Sequence, residues 1–537
     1  MSAKDFEPTF IGPGAAAGPI LAAHVGSKAA ELGRIAALRM PVPPAFVLPT
    51  SLCAGVIAAD PGALKAMRDG ILAGVGWLEA TTKRRLGDAR EPLFVSVRSG
   101  AEKSMPGMLD TILDVGMNAA SVHGLIRMTG NPRMAFDSYR RFVQMFAEVV
   151  ADVPPERFAK LTAEMIDAER VASEAELDSE ALERLAHRFL DLAARLGHAP
   201  PEDPMDQIAE AAQAVYKSWD SARAQEYRRL NALQGLKGTA VTVETMVFGN
   251  SGGDSGAGVA FSRDPATGAK QLYVDFLIDA QGEDVVSGRR SPSDATVLAR
   301  RMPEVAQELE EGARALEAAC RDAQDMEFTV ERGRLYFLQT RTAKRTPRAA
   351  LKIAVDLVQE GLIGREEALK RVAAVDLKAA RVSRFDEPGV SVASALVASS
   401  GVACGRVCFT SERAKETTAR GEPAILVRRD TSTADVGGFA VVQGILTSVG
   451  GRTAHAAVVA REMGKVCLVG CRALSIDEGR DVAHLGRKLL REGDFIALDG
   501  ATGEVALGLR RIVSEDPPET AIIQQWRKDA AGRSDGN

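Results

Sequence analysis

The spacing of apolar and polar residues changes several times along the chain, and the changes mark its organisation. Up to about residue 117, short apolar runs broken by glycine and proline alternate with helical stretches, which predicts α/β structure. Residues 118–235 predict a largely helical subdomain, in which the aromatic and methionine positions of 131–145 read as core and the charged run 161–195 as a solvated helix pair with no chemistry. From 238 to 341 a period of two takes over, with strands expected over 239–248 and 325–330. Two amphipathic helices, 349–360 and 366–373, lead to the break Glu387-Pro388-Gly389-Val390. Residues 391–511 open on an expected hairpin over 397–410 and continue as short strands and helices, and 512–537 read as a polar tail.

Within the last globular stretch, the apolar run 444–447 reaches a Gly-Gly turn, after which a short helix is expected with Thr453 as its N-cap and Gly464 as its stop signal. Ala456, Val459, Ala460 and Met463 fall at i, i+3, i+4 and i+7 and predict the inward face. His455 falls in the first turn, where unpaired N–H groups and the helix dipole stabilise a phosphoryl group on the imidazole and disfavour the imidazolium. The competing reading of a lone histidine here is a helix cap.

Composition narrows the function classes. At 537 residues the chain exceeds one core and predicts two to four domains. A net charge of −5 gives no electrostatic reason to expect nucleic acid or an anionic membrane surface. The first residues lack the pattern of a signal peptide, and no apolar run approaches the roughly 20 residues that span a bilayer, so a cytoplasmic location is expected. The six cysteines, Cys53, Cys320, Cys404, Cys408, Cys467 and Cys471, show no metal-ligand spacing and read as buried thiols.

Candidate phosphate chemistry is scattered. Val25-Gly26-Ser27-Lys28 puts a lysine at the start of a helix after a glycine turn, and the β-branched strand ending 93–98 delivers Arg98 to a glycine-containing loop, with a second loop over 104–107. Taken singly, the lysine reads as a solvated helix residue and the arginine as a surface ion pair. The strand over 239–248 offers backbone to an adenine edge, and the glycine loop 249–258 reads alone as a hairpin turn. No GxxxxGK[ST] loop occurs, so nucleotide binding must use another architecture. Asp325 and Glu327 share one strand face, and the next strand carries Gln339 and Arg341. Hard oxygens of this kind suit Mg²⁺ on nucleotide phosphates, whereas alternating charge on a half-exposed strand is the plain alternative.

Residues 450–470, GGRTAHAAVVAREMGKVCLVG, closely resemble the phosphohistidine motif of pyruvate phosphate dikinases, relatives of phosphoenolpyruvate synthase and of the sugar phosphotransferase enzyme I. The similarity extends over residues 25–508. It implies a multidomain α/β and α+β chain: an ATP-grasp nucleotide-binding domain (1–345), a helical connector or hinge (346–390) and a swivelling phosphohistidine β/β/α domain (391–511). It implies that ATP plus phosphate phosphorylate His455, with release of AMP and diphosphate and with Arg98 and Arg341 assisting. Nucleotide contacts would come from Lys28, Arg98, Met246, Phe248, Ser255, Gly256, Gln281, Asp325, Glu327, Gln339 and Arg341, and Mg²⁺ would be held by Glu327 and Gln339. ATP is expected to sit in a cleft between the N-terminal portion and the β-rich segment.

Thr453 matches a position that regulatory kinases modify in some members, and a homodimer is compatible with the family. Full-length members also carry a (β/α)₈ barrel for pyruvate and phosphoenolpyruvate, which needs at least roughly 200 residues. It is not expected within this sequence, so the phosphoryl acceptor would be a separate protein or chain. A non-catalytic nucleotide-sensing or regulatory paralogue is the alternative. Two departures stand out: Gly-Ser-Lys-Ala where the family tends to Gly-Gly-Lys-Gly, expected to loosen the phosphate loop, and Arg452 where methionine is usual.

Overall fold

The computed structural model describes residues 6–534 apart from 16, 17, 19, 104, 106–108, 287–292, 388, 432–434, 452–454 and 478–481. The chain divides into two compact units, Met1–Gly252 with Tyr336–Thr340, and Gly253–Leu335 with Arg341–Asn537. The expected boundary near 345 therefore does not coincide with the division, which cuts through the strand Arg334–Thr342.

In the first unit, five antiparallel strands run in the order Thr9–Ile11, Ala45–Leu48, Thr239–Thr245, Val95–Ala101, Thr111–Val115. The central strand, TAVTVET, is rich in β-branched residues that fit a pleated sheet, and all seven of its residues are buried. Phe337 joins this unit because its N–H donates to the Pro41 carbonyl at 2.9 Å and its ring is fully buried. The helical subdomain forms as expected. Helix Pro132–Ala151 starts with proline after Asn131, whose side chain accepts from the Met134 N–H, and it buries Phe142 and Phe146. Helix Ser179–Arg195 is capped by Asp178 and brings Phe189 to 4.9 Å from Phe158. Rings buried this fully stabilise by about 1.5–3 kcal/mol each.

The second unit opens on an antiparallel lobe in which Gly256–Phe261 lies between Gln324–Glu331 and Tyr273–Ile278. Its glycines have a packing reason. A Cβ on Gly256 would come within 2.3 Å of the Phe276 ring and one on Gly258 within 2.5 Å of Phe328, so both leave room for the stacked Phe276–Phe328 pair. The first connector helix, Pro347–Gln359, is built into this lobe: Ala349, Ile353 and Leu357 share a core with Val259 and Phe261. Arg263, fully buried, ties the lobe to that helix through Glu360 at 2.8 Å and Asp356 at 3.4 Å, and to helix Pro303–Cys320 through Glu317 at 2.6 Å. The first helix of the expected connector is thus packed against this lobe.

The last part of this unit is an eight-stranded mixed sheet. Val402–Cys408, Ala424–Arg428, Gly444–Thr447 and Val466–Val469 run parallel, with antiparallel strands on both sides. The expected 397–410 hairpin does not form. Leu396–Ser399 pairs with Val466–Val469 instead, on the far edge of the sheet from Val402–Cys408's antiparallel neighbour Phe495–Asp499.

Residues 512–537 are more than a polar tail. Ile512–Glu515 pairs with Val382–Phe385, and helix Pro518–Ser534 lays Ile523 and Trp526 against Leu351, Val355 and Ala368. Ile522 packs beside them, and the charged residues around this short stripe hid it in the sequence. Among the described residues, no helix is long and apolar enough to cross a membrane.

Candidate active site

The candidate phosphate-binding residues of the first unit are arranged around two backbones that touch. Helix Ala22–Ala37 is interrupted at Gly26, which has φ 79°, and a Cβ there would lie 2.0 Å from the Gly100 carbonyl oxygen, so only glycine permits the approach. Two residues on, Lys28 faces the pocket that this contact shapes. The serine expected to loosen the loop does the reverse: Ser27 Oγ donates to the Ala101 carbonyl at 3.1 Å.

That pocket is lined by Lys28, Arg98, Thr242, Glu244, Leu338 and Gln339, with Ala29 and Leu32 at its base. Strand register explains the grouping. Arg98 stands opposite Thr242 and Ser96 opposite Glu244, so Arg98, Thr242 and Glu244 share one sheet face. Arg98 Nη1 lies 3.4 Å from Glu244 Oε2, while Arg98 Nε and Thr242 Oγ1 are buried with no hydrogen-bond partner. Two cations beside orphaned buried donors make a setting that an anion would complete. Three predicted residues, Lys28, Arg98 and Gln339, are thus brought together. Thr242 and Glu244 were missed, although a glutamate inside a β-branched run, two residues from a threonine, was the available signal.

In the second unit, Asp325 and Glu327 lie on one face of Gln324–Glu331, opposite Phe261 and Val259 in register. Asp325 Oδ2 accepts from Arg341 Nε at 2.8 Å, and its Oδ1 is buried with no partner. Burial pushes the Asp325 carboxyl above the usual carboxylate range, more than Arg341 pulls it down. Among the described residues there is no cluster of three or more His, Cys, Asp or Glu that would form a protein-only metal cage. The donor set fits Mg²⁺ in a different way, since that ion is commonly held by one or two carboxylates together with substrate phosphates.

The remaining predicted nucleotide-binding residues are not among those lining the Lys28 pocket, and each has a contact within the protein. Phe248 is buried edge-on against Phe94 at 6.0 Å, and the Met246 N–H donates to the Phe94 carbonyl at 2.9 Å. Ser255 Oγ accepts the Arg332 N–H at 2.9 Å, Gly256 makes room for Phe276, and the Gln281 N–H donates to Asp284 at 3.1 Å.

Helix His455–Glu462 is the crossover between the parallel strands Gly444–Thr447 and Val466–Val469, so its first residue stands past the carboxyl end of a strand, where α/β sheets present their ligand sites. His455 opens the helix as expected. Gly464, with φ 64°, ends it, and the Lys465 N–H closes back on the Ala460 carbonyl at 2.8 Å. Of the expected inward face, Ala460 is buried and Val459 packs against the core, but Met463 is 38% exposed, and Ala457 and Arg461 are buried instead. Thr453, expected as cap and regulatory position, and Arg452 lie outside the described residues.

Comparison with known proteins places two family models on the chain. Residues 65–311 match the family model described as pyruvate phosphate dikinase, AMP/ATP-binding domain, and residues 420–503 match PEP-utilising enzyme, mobile domain. Pyruvate, phosphate dikinase of Clostridium symbiosum is 46% identical over 490 residues, which are 90% of this chain and 56% of that protein. The chloroplastic pyruvate, phosphate dikinase 1 of Oryza sativa subsp. japonica is 43% identical over 90% of the chain and 52% of the relative, and that of Flaveria trinervia 41% identical over 94% and 54%. The chain spans about half the length of these relatives.

Proposed function

The chain belongs to the pyruvate phosphate dikinase family, with an ATP-grasp domain and a mobile domain both present, and from that premise we propose that it carries out the nucleotide-driven half of such a reaction. ATP and phosphate phosphorylate His455: the γ-phosphoryl group passes to inorganic phosphate as diphosphate, the β-phosphoryl group ends on the imidazole, and AMP leaves. Lys28, Arg98 and Gln339 hold phosphate oxygens, and Arg341 offsets charge as it builds up during transfer. Glu327 and Gln339 would hold Mg²⁺, which would neutralise phosphate charge. A helix start disfavours a charged imidazolium and its N–H groups favour an attached phosphoryl group, which suits a histidine nucleophile there.

The observation that carries this reading is the pocket itself, in which Arg98 Nε and Thr242 Oγ1 are buried without partners beside Lys28. A purely structural pocket would leave those donors an uncompensated cost of about 1–3 kcal/mol each. A regulatory paralogue is not favoured, because the carboxylates, both arginines and the histidine are all retained. Onward transfer of the phosphoryl group from His455 to an acceptor completes the proposal, and it rests on the family resemblance alone.

Following ³¹P resonances of ATP and Mg²⁺ with and without phosphate tests the reading. It predicts AMP and diphosphate in amounts stoichiometric with protein when phosphate is present. Steady formation of ADP instead would contradict it.

A further inference from the structure

The carrier helix buries an arginine where an aliphatic residue would pack at less cost. Arg461 is 1% exposed and lies six residues after His455 on the same helix. Its Nη1 donates to the Ala398 carbonyl at 2.9 Å inside the mobile domain, and its guanidinium carbon stands 5.6 Å from the centre of the Phe261 ring, which belongs to the nucleotide-side lobe. Phe261 ends the strand whose register partner is Asp325, and Asp325, Asp275 and Asp264 of that lobe all act on the Arg461 charge. Two hydrogen bonds flank the contact: Tyr273 Oη donates to the Val397 carbonyl at 3.1 Å, and Ser400 Oγ to the Ala266 carbonyl at 3.2 Å. Taking a guanidinium out of water is expensive, and stability alone would be served by a leucine or methionine of similar volume. What an arginine adds is a charge that attracts a ring face and distant carboxylates, and that becomes solvated again once the contact opens.

We propose that Arg461 is a positioning residue, which registers the helix beginning at His455 against the lobe carrying Asp325 and Glu327 and whose extraction accompanies release of the mobile domain. The proposal rests on the phosphohistidine reading above, since only a carrier helix has reason to dock and leave. A carrier that must leave cannot be held by a greasy interface, and a polar contact of three small attachments suits a reversible one.

The test uses the full chain with Arg461→Met, Arg461→Lys and, from the opposite side, Phe261→Leu. Hydrogen–deuterium exchange without nucleotide should rise in peptides covering 396–400 and 261–275 for both Arg461→Met and Phe261→Leu, with the double variant no faster than either alone. Labelling of His455 from ATP should fall roughly tenfold in kcat for Arg461→Met with KM for ATP unchanged, and Arg461→Lys should recover part of it. Unchanged exchange in both single variants, or additive effects in the double variant, would overturn the proposal. A wild-type chain that takes no label would count against the proposed function, and the exchange measurements would still decide the role of Arg461. Should Arg461→Met fail to fold, Phe261→Leu supplies the same comparison.

Discussion

Arg341 Nε lies 2.8 Å from Asp325 Oδ2, on a carboxylate whose other oxygen is buried and unpartnered. Burial holds the Asp325 pKa above its ordinary value despite that arginine. Its folded pKa therefore exceeds its unfolded one, so the ionised group opposes folding above the unfolded value, and this penalty is relieved as pH falls through the raised folded pKa. Two consequences follow for one residue. Asp325→Asn is expected to leave thermal stability at neutral pH unchanged or slightly higher while abolishing ATP-dependent labelling. In the wild type, labelling should decline with acidification at a pH above the usual carboxylate range. Calorimetry and a pH–rate profile check these, and a clear loss of stability in Asp325→Asn would contradict the first.

Arg98 and Thr242 separate binding from folding in the other unit. Losing a charge-assisted hydrogen bond to phosphate costs about 1.5–3 kcal/mol, so Arg98→Ala should weaken ATP roughly 10- to 100-fold in titration calorimetry. Thr242→Val removes a buried hydroxyl that has no partner, and should keep or raise the unfolding midpoint while weakening ATP more mildly.

Arg263 is the structural counterpart. It is fully buried, with Nε 3.0 Å from Glu317 Oε1 and Nη2 2.8 Å from Glu360. Arg263→Met leaves Glu317 buried without its counter-charge and is expected to cost about 3–5 kcal/mol in denaturant unfolding of the second unit. For Glu360, burial raises the pKa, but Arg263 and Lys270 outweigh it and the net shift is downward. The corresponding stability is present above the unfolded carboxylate pKa and is lost as pH falls through the depressed folded value.

Cys467 lies behind the carrier helix, where burial pushes its thiol up to about 12. It should remain protonated and inert to Ellman's reagent at pH 8 in the native protein, and react once the protein is denatured. Fast native modification at Cys467, located by peptide mapping, would contradict the packing.

Much of this was legible where one residue type has one physical use. Gly26 before Lys28, Gly464 after the carrier helix, and Asp325 with Glu327 two apart each follow from a backbone angle or a strand period that local sequence dictates. What was not legible depended on partners distant in sequence. Glu244 reads as a polar interruption until strand pairing sets it beside Arg98, 146 residues away. Met463 fits the apolar period of its helix better than Arg461, yet Arg461 turns inward because Ala398 and Phe261 receive it. Leu396–Ser399 looks like half of a hairpin with its neighbour, but the pairing is taken by Val466–Val469, so that Val397 stands opposite Leu468.

The most direct measurement of the central claim is incubation of the chain with β-³²P-labelled ATP, Mg²⁺ and phosphate, followed by base-stable, acid-labile label mapping in the wild type and in His455→Asn. The account predicts label confined to the peptide containing His455, approaching one per chain, and none in the variant; undiminished label in His455→Asn would contradict it.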